Sequence, residues 1–303
     1  MNFRSNGKFL ITGEYLIMKG ATGLAVPLKP GQTLEVDRSP QPFIDWVSAM
    51  YNKTWFTARF QPGTFRVIEA SDKDTAKFLS GIFKKAGSLS TGKTDLAHSK
   101  IKLNLEFDLK WGMGSSSSLL SNIAYLFDVD AFQLHLKVSR GSGYDVVCAR
   151  SAGPLFFTRK GSDFTAVEAP FNPPFSRNIY FVYLGDKKRS DRAVDSFMQT
   201  RKRFTREVKW ISELTRHIAS AKDIRDFEYY MKEHELVTGA VIREPVIQQR
   251  LFPDLDGQVK SLGAWGGDFV MMTWEGTRNA LTSYLSDKGL KTFFSFKQII
   301  RTA

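Results

Sequence analysis

The sequence predicts a globular protein that mixes strands with helices and is long enough for two domains. Three observations carry this. A chain of 303 residues can bury a large core and most often divides in two. The stretch up to Ala70 is rich in β-branched and aromatic residues between glycine and proline turns, whereas residues 191–262 are dominated by helical spacing. Apolar residues make up 42% and charged residues 24%, a balance that excludes a disordered chain.

In chain order, GKFLITGEYLIM and GLAVPLKPGQTLEVDRS read as strands punctuated at Gly20, Gly23, Pro27, Pro30 and Gly31. WFTARF and TFRVIEA are two further strands. Over residues 72–86, Ala76, Phe78, Leu79, Ile82 and Phe83 recur at helical spacing. In KIKLNLEFDL, Ile101, Leu103, Leu105 and Phe107 alternate and share one face of a strand. FSRNIYFVYLG is a strand. Residues 191–221 form a long helix with Ala193, Val194, Phe197, Phe204, Val208, Ile211 and Leu214 as its apolar positions, and residues 223–242 form another, ending before Glu244-Pro245. Residues 246–262 are helical with an interruption near Pro253. WGGDFVMMTW is a glycine turn into a strand, residues 278–286 are a helix, and KTFFSFKQI is a closing strand. The polar, proline-rich segment 160–174 marks a boundary between domains at 1–165 and 166–303.

No apolar run approaches the roughly 20 residues of a membrane span, and Gly13 and Glu14 interrupt the start too early for a signal peptide. The single cysteine, Cys148, cannot close an internal disulfide, which agrees with a reducing, cytoplasmic setting. One cysteine and four histidines argue against structural zinc. The net charge of +12 is concentrated in DKKRSDR and TRKRFTREVK. It suits nucleic acid, anionic small substrates or a solvated basic helix face. No aromatic-basic RNA signature or zinc-finger spacing supports the first of these. A monomer or a homodimer is expected.

GSLSTGKT, residues 87–94, fits the written P-loop pattern G-x-x-x-x-G-K-[ST]. A phosphate-binding P-loop follows a strand and opens a helix. Here a helix precedes the pattern and a strand follows it, so we read a helix-to-strand connection and reject the P-loop. LKWGMGSSSSLLSNIAYLF, residues 109–127, has the required order. A strand ends, Gly112 and Gly114 allow left-handed turns, and Ser115, Ser116 and Ser117 open a helix whose buried stripe is Leu119, Leu120, Ile123, Ala124 and Phe127. The first-turn amides and hydroxyls make an anion nest. A serine N-cap without a ligand is the alternative.

Gly112-Met113-Gly114-Ser115-Ser116 resembles the G-L-G-S-S motif of the GHMP kinase superfamily. Four further segments resemble that family in its own order: SNGKFLITGEYLIMKGATGLAVPL, GSGYDVVCARSAGPLFF, GDKKRSDRAV and KSLGAWGGDFV. Together they span residues 5–270. The resemblance implies a two-domain α+β GHMP kinase fold, the N-terminal domain like ribosomal protein S5 domain 2 and the C-terminal domain ferredoxin-like. It implies ATP held by Gly112, Met113, Gly114, Ser115, Ser116 and Ser117, with Mg2+ held partly by Ser116. Asp145 matches the family's catalytic aspartate and Lys8 the lysine beside it. A turn-capping aspartate and a strand-edge lysine are the local alternatives. Glu14 matches a substrate-side or supporting glutamate. Tyr144, Lys188, Ser190, Trp265, Gly266 and Gly267 fall on the acceptor side.

Three departures accompany these matches. Where mevalonate kinases carry a metal-binding glutamate, this chain reads Gln133, Leu134 and His135, leaving Mg2+ to Ser116, phosphates and waters or Asp130. Trp265 replaces a glycine of the last loop and is expected to wall the pocket. Ser117 and Ser118 replace alanines. The details of the motifs lean toward a phosphomevalonate acceptor, with mevalonate second. Lys137, Arg140 and Arg150 suit an anionic acceptor or are surface charge. A sugar or homoserine kinase is the near alternative, and a basic nucleic-acid binder with a decayed kinase site the distant one.

Overall fold

The structure, a computed structural model, describes residues 1–92, 95–185, 197–200, 203–263, 265 and 268–302. It is an α+β protein with a larger sheet and a second, four-stranded sheet. The chain forms two compact units. Unit 1 comprises Met1–Gly7, Pro30–Leu109 and Met113–Arg150; unit 2 comprises Lys8–Lys29, Lys110–Gly112 and Ser151–Ala303. Strands β1 (Asn2–Thr12) and β2 (Gly23–Arg38) therefore contribute residues to both.

In unit 1, the C-terminal part of β2 pairs antiparallel with β6 (Ser99–Leu105), and β6 pairs in parallel with β3 (Ile44–Met50). β4 (Lys53–Phe60) and β5 (Val67–Ala70) extend the order antiparallel. A parallel pair needs a long crossover, and α1 (Lys73–Leu89) forms part of it. Asp72 caps α1, accepting from the Thr75 amide at 2.8 Å. Ala76, Leu79, Ile82 and Phe83 are buried as their spacing predicts, but Phe78 is 50% exposed. The Phe83 ring meets Trp46, Phe60, Phe65 and Phe127 at centroid distances of 5.5–5.9 Å. These edge and tilted contacts fix α1 over the strands. The sequence reading has no strand at β3. Its alternation, Ile44, Trp46, Ser48, is short and is broken by a register shift at Ser48/Ala49. The pattern at residues 87–94 starts in the last turn of α1, and the next strand in the chain is β6, the opposite order to a P-loop; Lys93 and Thr94 are outside the described residues.

In unit 2, the start of β2 pairs with β7 (Leu155–Lys160), and β7 with β8 (Asp163–Glu168). The segment read as a polar boundary thus holds an exposed strand. The second sheet runs β10 (Val259–Ser261), β11 (Phe269–Thr273), β9 (Ile179–Tyr183), β12 (Phe293–Ser295), all antiparallel. β9 and β11 are nearly continuous apolar runs, as central strands covered on both faces must be. Helices α5 (Thr205–Ser220), α6 (Ile224–Ile242), α7 (Ile247–Leu251), α8 (Arg278–Asp287) and α9 (Phe296–Ile299) complete the unit.

Three expectations are corrected here. The helix predicted over 191–221 begins, in its long regular part, only at Thr205; Gln199, Thr200, Arg203 and Phe204 are not helical, and residues 191–196 and 201–202 are outside the described residues. Residues 259–261 are strand β10, not helix, because Val259–Ser261 find ladder partners in β11 and Gln248 bonds the Gly257 carbonyl and the Val259 amide, bending the chain back after Pro253. The closing strand is short and passes at Ser295 into α9, where Ser295 and Gln298 form a capping box. No helix among the described residues is long and apolar enough to cross a membrane.

Candidate active site

The glycine loop is shaped by two left-handed residues, Gly112 (φ 63°) and Gly114 (φ 93°). Gly114 is the N-cap of α2 (Ser115–Leu126), and no side chain caps that end. No serine side chain therefore serves as the cap. Because the first helical bond runs from the Ser118 amide to the Gly114 carbonyl, the amides of Ser115, Ser116 and Ser117 have no partner within the helix. Ser116 is exposed and Ser115 half-buried. Ser117 is 2% exposed and its hydroxyl donates to the Gly114 carbonyl, so only its amide is left to meet a ligand. Ser118 is likewise turned inward, bonding Gly114, Ser115 and Gln32. Met113 is fully buried and contributes backbone alone. Of the predicted stripe, Leu120, Ile123, Ala124 and Phe127 are buried, and Leu119 is half-buried.

Unit 1 also holds the predicted aspartate. Helix α3 (Ala131–Val138) leads through a turn to α4 (Tyr144–Cys148), whose N-cap is Gly143 at φ 85°. Asp145 stands in the first turn of α4. Its Oδ1 accepts from the Val146 amide at 3.0 Å, and its side chain keeps 30% of its surface exposed. Tyr144 beside it is half-buried. Asp130 caps α3, its Oδ1 accepting from the Gln133 amide at 2.7 Å. Arg150 is corrected from acceptor charge to structure. Its Nε donates to Ser121 Oγ at 3.0 Å and its guanidinium lies 3.5 Å over the Tyr125 ring, tying the end of α4 to α2. Lys137 and Arg140 are exposed.

Gly143 is the residue on which this turn depends. A Cβ there would lie 2.4 Å from a Phe132 ring carbon, in a backbone conformation that side chains disfavour. Gly143→Ala is expected to cost roughly 2–4 kcal/mol from the left-handed penalty and overpacking together. Urea denaturation reads this directly; a loss below about 0.5 kcal/mol would mean the turn can rearrange freely.

Unit 2 holds Lys8 and Gly112. The Lys8 ammonium donates to the Gly112 carbonyl at 3.3 Å. A Cβ on Gly112 would lie 2.1 Å from Asp268 Oδ2, so that carboxylate presses against the loop backbone. Asp268 went unrecognised in the sequence, although it follows the glycine pair of the last loop directly. Trp111 packs its ring against Tyr183, Phe269 and Phe294, anchoring the loop's first residues on β9, β11 and β12.

One acceptor-side expectation is corrected. Trp265 is 3% exposed and lies in an apolar cluster with Tyr15, Phe197, Ile211 and Leu214, against Gly239; its indole packs a core rather than walling a pocket. Glu14 is fully buried, which suits the supporting role of the two expected for it. It is ion-paired with Lys260, whose ammonium also donates to the Ser261 carbonyl at 2.9 Å. Its other oxygen is 3.5 Å from His234 Nε2, which accepts from the Gly13 amide at 3.0 Å. Glu235 accepts from the Ser261 amide and hydroxyl. Burial pushes the Glu14 carboxyl up to about 7, against the pull of Lys260. Burial raises Glu235 as well, and burial with the Lys260 charge holds His234 well below the usual imidazole range. The G-E-Y segment is thus pinned by a buried polar cluster from α6 and β10, of which the sequence marked Glu14 alone. Lys188, Ser190, Gly266 and Gly267 lie outside the described residues.

No family sequence model matches the chain, and no curated protein matches it. Solved structures do match. The mevalonate kinase of Methanococcus jannaschii aligns with a TM-score of 0.69 at 15% identity, over 100% of this chain and 98% of that one. A Streptococcus pneumoniae phosphomevalonate kinase, solved in complex with phosphomevalonate and AMPPNP, aligns at 0.73 with 14% identity, over 97% and 99%. A Lactococcus lactis galactokinase complexed with galactose aligns at 0.67 with 11% identity, over 99% and 93%. The chain has the GHMP kinase fold that these proteins share.

Proposed function

We propose that this chain is a cytoplasmic ATP-dependent kinase that transfers the γ-phosphoryl group to a mevalonate-pathway acceptor, phosphomevalonate ahead of mevalonate, and that its domains divide near residue 165. The observation that carries the reading is the uncapped start of α2 behind two left-handed glycines. Amides and the Ser115 and Ser116 hydroxyls there suit phosphate oxygens, with the helix dipole behind them. Asp145, half-buried in the first turn of α4, is the base that takes the proton of the acceptor's attacking oxygen, a phosphate O–H in phosphomevalonate or a hydroxyl in mevalonate. Lys8 supplies a cation at the carbonyl side of the loop. The leaning toward phosphomevalonate rests on motif details and agrees with the ligands of the pneumococcal neighbour.

Ser116 offers an exposed hydroxyl at the anion nest, and with phosphate oxygens and water it would hold Mg2+ there. When bound, it would neutralise charge on the phosphoryl group. The loop amides orient the phosphates, and Asp145 handles the proton.

The test is ADP release from Mg-ATP with a panel of phosphomevalonate, mevalonate, homoserine and galactose. Release matched by phosphorylated phosphomevalonate is expected, with mevalonate weaker. Turnover of a sugar or homoserine alone would move the acceptor within the superfamily. No turnover with any of them, together with tight RNA or duplex binding at physiological salt, would overturn the kinase reading.

A further inference from the structure

His135 occupies a position that the sequence reading noted only for lacking an acid. Its side chain is 3% exposed, and its Nδ1 lies 4.0 Å from Asp145 Oδ1. On the other edge of the ring, Nε2 is 3.2 Å from the Gly141 carbonyl. A carbonyl only accepts, so Nε2 carries the ring proton and the neutral ring leaves Nδ1 bare. Nδ1 makes no hydrogen bond among the described residues, a state that buried polar atoms seldom keep. The ring also braces the turn itself: a Cβ on Gly141 or Gly143 would come within 3.5 and 3.3 Å of its carbons.

Besides Asp145, the charged side chains on the elements around the ring are exposed or, for Arg150 after α4, engaged with Ser121 and Tyr125. α2 carries no Asp, Glu, Lys or Arg. Lys73, Asp74, Lys77, Lys84 and Lys85 of α1 are exposed, as are Lys137 on α3, Arg140 and the capping Asp130. α4 offers Tyr144, Cys148 and Asp145. Asp145 is the carboxylate within 4.0 Å of the ring among the described residues.

We propose that His135 acts through Asp145: at Nδ1 it takes over the proton that Asp145 removes from the acceptor's attacking oxygen, a phosphate O–H in phosphomevalonate or a hydroxyl in mevalonate. The inference rests on the kinase reading above. In the step, the acceptor O–H bond breaks as its oxygen bonds the γ-phosphorus. The bond from that phosphorus to the β–γ bridging oxygen breaks, and ADP leaves with the electron pair. The proton passes from the acceptor oxygen to the Asp145 carboxylate and then to Nδ1, once Asp145 turns to close the 4.0 Å gap to hydrogen-bond reach. An imidazolium beside a restored carboxylate results, and it returns the proton to water after product leaves. A bare Nδ1 facing a carboxylate is poorly matched until that proton arrives, which is what a transient holder requires.

Two measurements on the full chain test this. Nitrogen NMR of the His135 ring, without substrate, compares wild type with Asp145→Asn. A ring protonated at Nε2 with a bare Nδ1 is expected in wild type, and the Nδ1 signal is expected to move when the facing carboxylate is removed; a ring protonated at Nδ1, or a signal that does not move, would sink the coupling. The second is the kcat–pH profile of His135→Gln with Mg-ATP and the acceptor the panel identifies. Glutamine keeps a donor for the Gly141 carbonyl and removes Nδ1. We expect kcat to fall roughly 10- to 100-fold with KM unchanged, and its acid limb to move to lower pH, because no imidazole then has to stay neutral. A variant that merely lost packing would leave that limb in place, and this result would overturn the proposal. If Asp145→Asn turns over normally, the base assignment itself fails. If it is inactive while His135→Gln keeps the wild-type profile, only the role of His135 fails. Should His135→Gln not fold, the NMR comparison decides.

Discussion

Asp145→Asn is expected to lower acceptor-dependent kcat by about 10²- to 10⁴-fold while leaving binding of an ATP analogue intact. That corresponds to roughly 3–5 kcal/mol of transition-state stabilisation. The substitution suits the question because asparagine keeps the shape of the side chain. Its oxygen can still accept from the Val146 amide, as Asp145 Oδ1 does at 3.0 Å, so the first turn of α4 should persist. What disappears is the capacity to take a proton and the negative charge facing His135. The nest at the start of α2 is built from backbone and serine hydroxyls, none of which the substitution touches. Single-turnover kinetics and calorimetric titration with AMPPNP separate the two effects. An Asp145→Asn enzyme within tenfold of wild type would leave phosphate binding as the only role of this region. Equal loss of nucleotide binding would show that Asp145 shapes the nest instead of serving the acceptor.

The second large effect is on stability. Lys260→Met is expected to cost about 3–5 kcal/mol at pH 8, because it leaves Glu14 buried and unpaired. The cost should be smaller at pH 5. Glu14 and Glu235 both bind protons more tightly in the folded protein than their ordinary values, Glu14 near 7 against 4.5. A raised carboxyl contributes stability that is complete below about 4.5 and is lost as pH rises through the folded value. His234 works in the other sense. Its depressed value contributes stability that is complete above about 6.5 and is lost as pH falls below it. Between roughly 4.5 and 6.5 the Glu14 and His234 contributions therefore offset each other, and above that window the carboxyls dominate. Removing the Lys260 cation raises the carboxyls further and relieves His234, so the loss grows toward alkaline pH. Urea midpoints of wild type, Lys260→Met and Glu14→Gln/Lys260→Met at pH 5 and 8 check this. The double variant should recover much of the loss at pH 8. A pH-independent loss, or no recovery, would mean that the pair is not what anchors the G-E-Y segment.

Much of the fold was legible where neighbours in sequence are neighbours in space. The helix over residues 223–242 matches α6 almost to the residue, because Asp223 caps it and its amides prefer that cap over any distant partner. The rejection of GSLSTGKT agrees with the described structure on the same ground, since element order around it is a local property. Strand β10 was misread as helix, because only pairing with β11, across a turn, makes residues 259–261 extended. Phe78 was counted as core and is exposed, since helical spacing defines a stripe but not its width. Ser295 and Gln298 carried a capping-box signal that was there to be read.

For the candidate site, the left-handed Gly143 and the short helix that carries Asp145 were not read from the sequence, whereas the consecutive residues Gly112 to Ser117 were enough to predict left-handed glycines at a helix start. Those features depend on backbone dihedrals and hydrogen bonds a few residues long, which composition at each position controls. Which polar groups share a dry environment was decided elsewhere. Glu14 meets Lys260 across 246 positions, His135 turns a bare nitrogen to Asp145, Arg150 lies on Tyr125, and Trp265 disappears into a core. Desolvation and long-range pairing leave no local trace in a sequence, because their free energy comes from the partner that folding brings near.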